Sequence, residues 1–219
     1  MIRRRPEQPW PPRDDEAYRA EAEAAVGRDL CDLLARVELM VYDADGVLTP
    51  GKLVYGPGGE ALKEFHTLDG LGIVLARTAG IKQAVLTGRN SIIVRKRAEE
   101  LRFASIKLAR FDKGAAMEEI LQETGCSAEH TLYMGDDLID VPALDLVGVP
   151  VATPEAPQDV RDRCLHVTRA QGGRGAVREM TDLVLKSAGL FGTALARLGE
   201  KAWQPRPDET ASADEETLQ

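Results

Sequence analysis

The sequence ELMVYDADG, residues 38–46, decides the fold, because a short apolar run is followed directly by two aspartates and a glycine. An apolar run of this length bounded by turn residues predicts a buried strand over 38–42. Two later apolar runs, over 84–86 and 131–134, end in Thr87-Gly88-Arg89 and Gly135-Asp136-Asp137. Because ligands bind at the carboxyl ends of strands in open parallel sheets, the sequence predicts one site built from three strand ends.

The rest of the chain alternates between strand and helix patterns, which predicts an α/β fold with a doubly wound parallel sheet. Further strands are expected over 105–108, 149–152 and 165–168. Helices are expected over 15–36, 69–79, 91–101, 113–124, 138–146, 155–163 and 175–198, the last broken near Gly189. Residues 52–55 and 60–66 flank Gly56-Pro57-Gly58-Gly59, which predicts a β-hairpin after the first strand.

The ends of the chain differ from its middle in composition. Four prolines within residues 1–13 predict a flexible arm, followed by an N-terminal helix within 14–36. The α/β domain is expected over 37–186 and a C-terminal helical segment over 187–203. Residues 204–219 are acidic and contain proline, so a disordered tail is expected there.

Composition narrows the class of protein. The 219 residues hold 28 Lys and Arg against 36 Asp and Glu, a formal net charge of −8, which argues against nucleic acid or an anionic membrane as partner. The three cysteines are an odd number without a C-x-x-C pair, as is typical of a reducing compartment. No apolar run reaches the roughly 18 residues of a membrane span. A soluble cytoplasmic protein is therefore expected.

Asp43 and Asp45 are the first candidates for chemistry. Residues two apart on a strand point to the same side, and Gly46 allows a sharp turn after them. Paired carboxylates favour a hard cation such as Mg²⁺, which Asp136 and Asp137 would help to bind. An EF-hand is excluded, because Val47 and Leu48 stand where its loop needs an oxygen ligand and a glycine. An ordinary Asp-Gly turn remains the alternative.

Phosphate-binding groups follow in the sequence. Thr87, Gly88 and Arg89 offer a hydroxyl, a backbone N–H and a guanidinium, although Thr87 could simply cap the next helix. Lys113 begins a helix, where a cation is unfavourable unless it faces an anion, and a solvated surface lysine is the alternative. For the acidic residues that open the helix after Gly135, the alternative is favourable pairing with the helix dipole. The loop Gly172-Gly173-Arg174-Gly175 could cradle an anion or act as a hinge.

In this order, D-x-D-G, T-G-R, D-K and G-D-D-x-x-D, the motifs resemble those of the haloacid dehalogenase-like phosphohydrolases. Residues 41–75, 135–142 and 172–179 are similar to the capless branch that acts on 3-deoxy-D-manno-octulosonate 8-phosphate. The resemblance covers about residues 38–186. About 40 residues separate Asp45 from Thr87, which leaves no room for a cap domain. The resemblance also implies a homotetramer, with the hairpins packed together.

The resemblance implies a role for each candidate residue. Asp43 would attack phosphorus, and Asp45 would protonate the leaving alcohol and then activate water. Thr87, Gly88 and Lys113 would bind the phosphoryl oxygens. Mg²⁺ would be bound by Asp43, Asp136 and the Asp45 backbone carbonyl, with Asp137 and Asp140 in support. The sugar phosphate would be contacted by Asp69, Arg89 and Arg174.

Two positions depart from the branch's pattern. Leu68 stands where an arginine usually precedes the aspartate matched by Asp69, and Pro50 stands at a usually acidic position. An arginine could pair with a substrate carboxylate, whereas leucine cannot. A nonulosonate or a neutral sugar phosphate is therefore an alternative substrate, with Arg89 or Arg174 as alternative carboxylate partners.

Other classes of protein remain open at this point. Receiver domains of signalling proteins also use clustered Asp, Thr and Lys, but their phosphoacceptor is central and their lysine comes last. A non-catalytic regulatory subunit would be expected to have lost one of Asp43, Asp45, Lys113 or Asp136, and all four are present. The chain also lacks room for the transferase domain to which sialic-acid relatives attach a phosphatase-like module.

Overall fold

The computed structural model describes residue 11 and residues 13–201. The acidic tail predicted over 204–219, and all but two residues of the arm predicted over 1–13, lie outside the described residues. Among the helices that are described, none is both long enough and apolar enough to cross a membrane.

A six-stranded parallel sheet forms the centre of the molecule, in the order β5-β4-β1-β6-β7-β8. Its strands are β1 (Leu39–Tyr42), β4 (Lys82–Leu86), β5 (Ser105–Lys107), β6 (Thr131–Gly135), β7 (Val149–Ala152) and β8 (His166–Val167). Strands β2 (Val54–Gly56) and β3 (Gly59–Leu62) pair separately as an antiparallel hairpin. The prediction of a doubly wound α/β fold, with a hairpin after the first strand and no cap domain, is confirmed.

Nine α-helices lie within the described residues: α1 (Asp15–Val26), α2 (Arg28–Leu34), α3 (Thr67–Thr78), α4 (Ile92–Glu100), α5 (Lys113–Thr124), α6 (Val141–Leu144), α7 (Gln158–Arg161), α8 (Ala176–Ser187) and α9 (Phe191–Lys201). The single helix predicted over 15–36 is instead two helices, divided at Gly27. The break predicted near Gly189 is confirmed. The helix predicted over 138–146 is a 3₁₀ turn, Leu138–Asp140, followed by α6.

The sheet separates two hydrophobic clusters. Met40 and Tyr42 of β1 face the cluster that holds α1, α3 and α8, whereas Leu39 and Val41 face the one that holds α5 and α7. This alternation follows from the two-residue period of a strand. Each large buried side chain contributes about 1.5–3 kcal/mol, so both faces of β1 stabilise the fold.

The N-terminal helices belong to the same core as the sheet. Tyr18 of α1 is buried, and its ring meets Phe191 of α9 edge to face, with 4.8 Å between centroids. Arg19 pairs with Asp32 of α2 at 2.6 Å. The packing of α1 and α2 against α8 and α9 therefore joins both ends of the described chain.

The register of the central strands brings the predicted motifs together. Tyr42 pairs with Val85 of β4 and with Met134 of β6. Asp43 follows Tyr42, so it lies between the ends of the two neighbouring strands, where Thr87 and Asp136 begin their loops. The carboxyl edge of the sheet is therefore the candidate active site.

Candidate active site

A buried ionic cluster lies at the end of β1. The Lys113 side chain is 1% exposed, and its Nζ lies 2.7 Å from Oδ1 of Asp43. The same amine donates to Oδ1 of Asp140, and at 3.3 Å to the Tyr133 hydroxyl. The alternative of a solvated surface lysine is therefore wrong.

The start of α5 places this lysine. Asp112 is the N-cap, and its Oδ1 accepts the N–H of Ala115 at 3.2 Å, so the helix begins at Lys113. A buried ammonium is costly unless it is paired, and here two carboxylates pair with it. Burial lowers the pKa of Lys113, but the attraction of Asp43 and Asp140 outweighs burial, so this pKa is raised overall.

Asp140 is the anchor of the cluster. Its Oδ2 accepts the backbone N–H groups of Asp136 at 2.9 Å and Asp137 at 3.0 Å, and its Oδ1 accepts the Tyr133 hydroxyl. The loop after β6 is thereby fixed on the same carboxylate that pairs with Lys113. Asp137 itself is exposed and caps the 3₁₀ turn through the N–H of Leu138 at 2.7 Å, so the structure does not bring its side chain into the cluster.

Asp136 completes a set of carboxylates that fits a metal ion. Asp43, Asp136 and Asp140 can each offer an oxygen such that all three lie within 4.8 Å of one another. Oδ1 of Asp136 is buried and has no hydrogen-bond partner among the described residues. An oxygen-only ligand set of this kind suits Mg²⁺. The donor chemistry and the unpaired oxygen therefore fit the predicted cation.

The pKa values of the cluster show its need for positive charge. Burial raises the pKa of Asp43 to about 6, partly offset by Lys113. Burial, and then repulsion from Asp43 and Asp140, raises the pKa of Asp136 to about 8. One lysine does not balance three clustered carboxylates, and a divalent cation would hold them ionised.

Gly46 and Gly172 allow close approach at this edge. Gly46 has φ +99°, and a Cβ there would lie 2.0 Å from Oδ2 of Asp136. A Cβ on Gly172 would lie 1.7 Å from the Gly46 carbonyl oxygen. The loop at residues 172–175 is therefore packed against the D-x-D-G turn, which disfavours its interpretation as a hinge.

Asp45 lies beside the carboxylate cluster and does not contribute its side chain to it. Its Oδ1 accepts the Thr49 hydroxyl at 3.1 Å and the Nζ of Lys63, and Nε of Arg89 lies 3.6 Å from its Oδ2. Lys63 was not identified from the sequence. No motif marks it, because its contact depends on how the hairpin folds back over the sheet edge.

The phosphate-binding candidates lie where the strand order predicts. Thr87 is buried, and its hydroxyl accepts the N–H of Arg89 at 3.3 Å. It does not cap α4; Ser91 does, through the N–H of Val94 at 3.2 Å. The guanidinium of Arg89 donates to the Tyr55 hydroxyl, which ties this loop to the hairpin.

A cavity of about 400 Å³ opens beside Asp136. It is lined by Gly46, Pro50, Gly51, Lys52, Asp136, Glu155, Gln171, Gly172 and Arg174. Lys52 and Arg174 are exposed and form no ion pair with any residue that the structure describes. The cavity is thus lined by two cations, Lys52 and Arg174, and by two carboxylates, those of Asp136 and Glu155.

Asp69, like Asp137, is a predicted site residue whose side chain lies outside the carboxylate cluster. Its two oxygens accept the N–H groups of Gly175 at 3.1 Å and Arg178 at 2.8 Å, at the start of α8. Its carboxylate therefore holds the loop that carries Arg174, and it does not line the cavity beside Asp136. Leu68, next to it, is 50% exposed.

Comparison with known proteins gives consistent relatives. A family model described as haloacid dehalogenase-like hydrolase matches residues 103–180. The chain is 41% identical over 164 residues to the 3-deoxy-D-manno-octulosonate 8-phosphate phosphatase of Haemophilus influenzae, covering 74% of this chain and 91% of that protein. It is 39% identical over 161 residues to the phosphatase of the same name from Escherichia coli K12, covering 72% and 86%.

Solved structures resemble the fold as well. The Moraxella catarrhalis 3-deoxy-D-manno-octulosonate 8-phosphate phosphatase, in complex with magnesium, phosphate and the sugar acid KDO, superposes with a TM-score of 0.74 at 32% identity. The match covers 78% of this chain and 98% of that one. The cobalt-bound Haemophilus influenzae phosphatase gives a TM-score of 0.71 at 40% identity, covering 73% and 93%.

Proposed function

Since the chain belongs to the 3-deoxy-D-manno-octulosonate 8-phosphate phosphatase family of haloacid dehalogenase-like hydrolases, we propose that it hydrolyses this sugar-acid phosphate through a covalent phosphate on Asp43. The observation that carries the proposal is the cluster of Asp43, Lys113, Asp136 and Asp140 at the carboxyl end of the central strand. The reaction is the hydrolysis of a phosphoric monoester.

Asp43 is the nucleophile in this proposal. Its oxygen attacks phosphorus as the bond to the sugar oxygen breaks, which splits the hydrolysis into two easier steps. The transferring phosphoryl group spreads negative charge over its oxygens, and the Lys113 ammonium, already 2.7 Å from Asp43, stabilises that charge. Thr87 and the backbone of Gly88, at the end of the neighbouring strand, hold the same oxygens.

Asp45 carries the proton in both steps. It gives a proton to the departing sugar oxygen, and in the second step it takes a proton from the water that attacks the phosphate on Asp43. Asp45 lies two residues after the nucleophile in the chain, and its side chain is not one of the three carboxylates, Asp43, Asp136 and Asp140, that could bind the metal ion.

Asp43 and Asp136 would hold Mg²⁺, with the backbone carbonyl of Asp45. The bound cation would screen Asp43 from its anionic substrate and stabilise charge on the phosphoryl oxygens. Asp140 positions Asp136 by accepting a hydrogen bond from the backbone N–H of Asp136. Asp137 supports the same loop as the N-cap of the 3₁₀ turn.

Lys52 and Arg174 are the proposed partners of the substrate carboxylate. They line the cavity beside Asp136, whereas Leu68 offers no charge. Arg89 donates a hydrogen bond to the Tyr55 hydroxyl and lies near Asp45, and it would contact the sugar there. Asp69 would act indirectly, by fixing the loop that carries Arg174.

A homotetramer in the cytoplasm completes the proposal. The hairpin exposes Leu53, Val54, Tyr55 and Leu62, with Tyr55 60% and Leu62 65% exposed. Packing of the hairpins against one another would remove these apolar side chains from water and so stabilise an assembly of copies. Sedimentation equilibrium should give the mass of four chains, and Leu62→Asp should shift it to a smaller species. A monomeric wild-type protein would refute this part.

Phosphate release from a panel of sugar phosphates tests the activity. The panel contains 3-deoxy-D-manno-octulosonate 8-phosphate, a nonulosonate 9-phosphate and neutral sugar phosphates, each with and without Mg²⁺. We expect Mg²⁺-dependent turnover with preference for the octulosonate, and none in Asp43→Asn. Preference for a neutral sugar would show that Leu68 marks a changed substrate. A phosphorylated Asp43 that persists without turnover would instead indicate a phosphoacceptor or regulatory protein.

A further inference from the structure

The two carboxylate oxygens of Asp45 have different surroundings. Oδ1 accepts the Nζ of Lys63 and the Thr49 hydroxyl, the latter at 3.1 Å. Oδ2 is buried and has no hydrogen-bond partner within the part of the chain that the structure describes. Nε of Arg89 lies 3.6 Å from this oxygen. One oxygen is thus fixed and the other is left for chemistry.

Lys63 is itself held in place. It follows β3 of the hairpin, and its side chain is 1% exposed, as buried as that of Lys113. Its Nζ pairs with Oε1 of Glu60 at 3.0 Å, and Oε2 of Glu60 accepts the hydroxyl of Ser91. Ser91 caps α4, so the chain of contacts runs from the core helix through the hairpin to Asp45.

We propose that Lys63 is a positioning residue for the phosphatase reaction, which with Thr49 holds Oδ1 of Asp45 so that Oδ2 transfers the proton. In the first step the bond between phosphorus and the sugar oxygen breaks, the bond from phosphorus to Asp43 forms, and the proton on Oδ2 passes to the sugar oxygen. In the second step water attacks phosphorus, its proton passes to Oδ2, and the bond to Asp43 breaks. Lys63 gives up no proton in either step.

The inference rests on the proposed function. Substrates with different leaving groups distinguish a positioning role of Lys63 from a merely structural one. A sugar alkoxide is a poor leaving group and needs the proton, whereas p-nitrophenolate leaves without one. The ratio kcat/KM reports the steps up to formation of the phosphate on Asp43, where that proton moves. Misplacing Asp45 therefore lowers kcat/KM for the sugar phosphate and spares p-nitrophenyl phosphate.

The experiment measures both substrates with Lys63→Met in the full chain with Mg²⁺. We expect kcat/KM for the sugar phosphate to fall about 10- to 100-fold, and that for p-nitrophenyl phosphate to change less than about threefold. Lys63→Arg, which restores a cationic donor, should recover most of the loss. Lys186→Met is the matched control, because Lys186 is a paired lysine that contacts Glu21 at 2.8 Å, far from the site.

Thr49→Val keeps the inference testable if Lys63→Met does not fold. It removes the other donor to Oδ1 and should lower the same ratio of the two substrates in the same direction. An equal loss on both substrates, or no loss on either, would overturn the positioning role. Failure of the wild-type protein to hydrolyse any sugar phosphate would instead refute the proposed function, and simple alkyl phosphates would then replace sugar phosphates in the comparison of variants.

Discussion

Gly46→Ala tests the metal site by a single methyl group. A Cβ at position 46 would lie 2.0 Å from Oδ2 of Asp136, whereas ordinary contacts begin at 3.4 Å. Asp136 would have to move its carboxylate by more than about 1 Å, and a displacement of that size costs roughly 100-fold in rate when it affects a reacting group. We therefore expect Mg²⁺ affinity to fall and kcat/KM to fall about 100-fold.

The same substitution also strains the backbone, and Gly80→Ala separates the two effects. Gly80 has φ +96°, close to the +99° of Gly46, but a Cβ there meets nothing within 4 Å. Both variants should lose about 1–3 kcal/mol of stability from the backbone alone. For a chain of this size, each kcal/mol lowers Tm by roughly 2–4 °C.

The assay combines thermal unfolding in metal-free buffer, calorimetric titration with Mg²⁺ and initial rates of phosphate release. Gly46→Ala should lose at least as much Tm as Gly80→Ala, because the clash with Asp136 adds to the shared backbone strain, and only Gly46→Ala should lose Mg²⁺ affinity and turnover. If Gly46→Ala bound Mg²⁺ within about threefold of Gly80→Ala, Asp136 would not be a ligand of the cation.

Three further predictions concern the buried charges. Lys113→Met leaves Asp43 and Asp140 buried without their cation and should cost about 3–5 kcal/mol in urea unfolding. Lys107→Met, which removes the partner of the solvent-accessible carboxylates of Glu119 and Glu123, should cost much less. Equal costs for the two variants would contradict this prediction. Because burial raises the pKa of Asp43 to about 6 and of Asp136 to about 8, protons compete with Mg²⁺ for these carboxylates. The Mg²⁺ concentration that gives half the maximal rate should therefore rise as pH falls from 8 to 6. If that concentration did not change with pH, Asp43 and Asp136 would not be the ligands. In metal-free buffer, between about pH 4 and pH 8, Asp43 and Asp136 keep protons in the folded state that they have lost in the unfolded state, where their pKa is the ordinary 3.8. Stability therefore falls with rising pH, and Tm should decrease from about pH 4 to about pH 8. An increase in Tm over that range would show that other groups dominate.

Most of the sheet could be predicted from the sequence, because apolar runs and turn residues are local signals. The helix Lys113–Thr124 and the strand Val149–Ala152 have the predicted bounds. The N-terminal segment was harder: its helical composition continues across Gly27, and the division between α1 and α2 depends on packing against α8 and α9. Composition along the chain does not record such packing.

The candidate site was predictable in its residue types and less so in their contacts. The sequence placed Asp43 and Asp136 at the ends of two strands, and Asp140 was expected only in support. In the structure Asp140 accepts a hydrogen bond from Lys113, and Asp69 accepts one from the backbone at the start of α8. Asp137 is exposed. These differences arise because a side chain's partner is set by distant elements, which local patterns do not reveal.

The sequence by itself determined the alternation of strands and helices, and with it the edge of the sheet at which Asp43, Thr87 and Asp136 meet. Those features follow from residue periodicity and from the parallel order of strands, which are properties of short segments. Only the tertiary structure decided that the hairpin folds back so that Lys63 reaches Asp45, and that Gly46 and Gly172 touch. Contacts of that kind join residues far apart in the chain, and their geometry exists only once the core has packed.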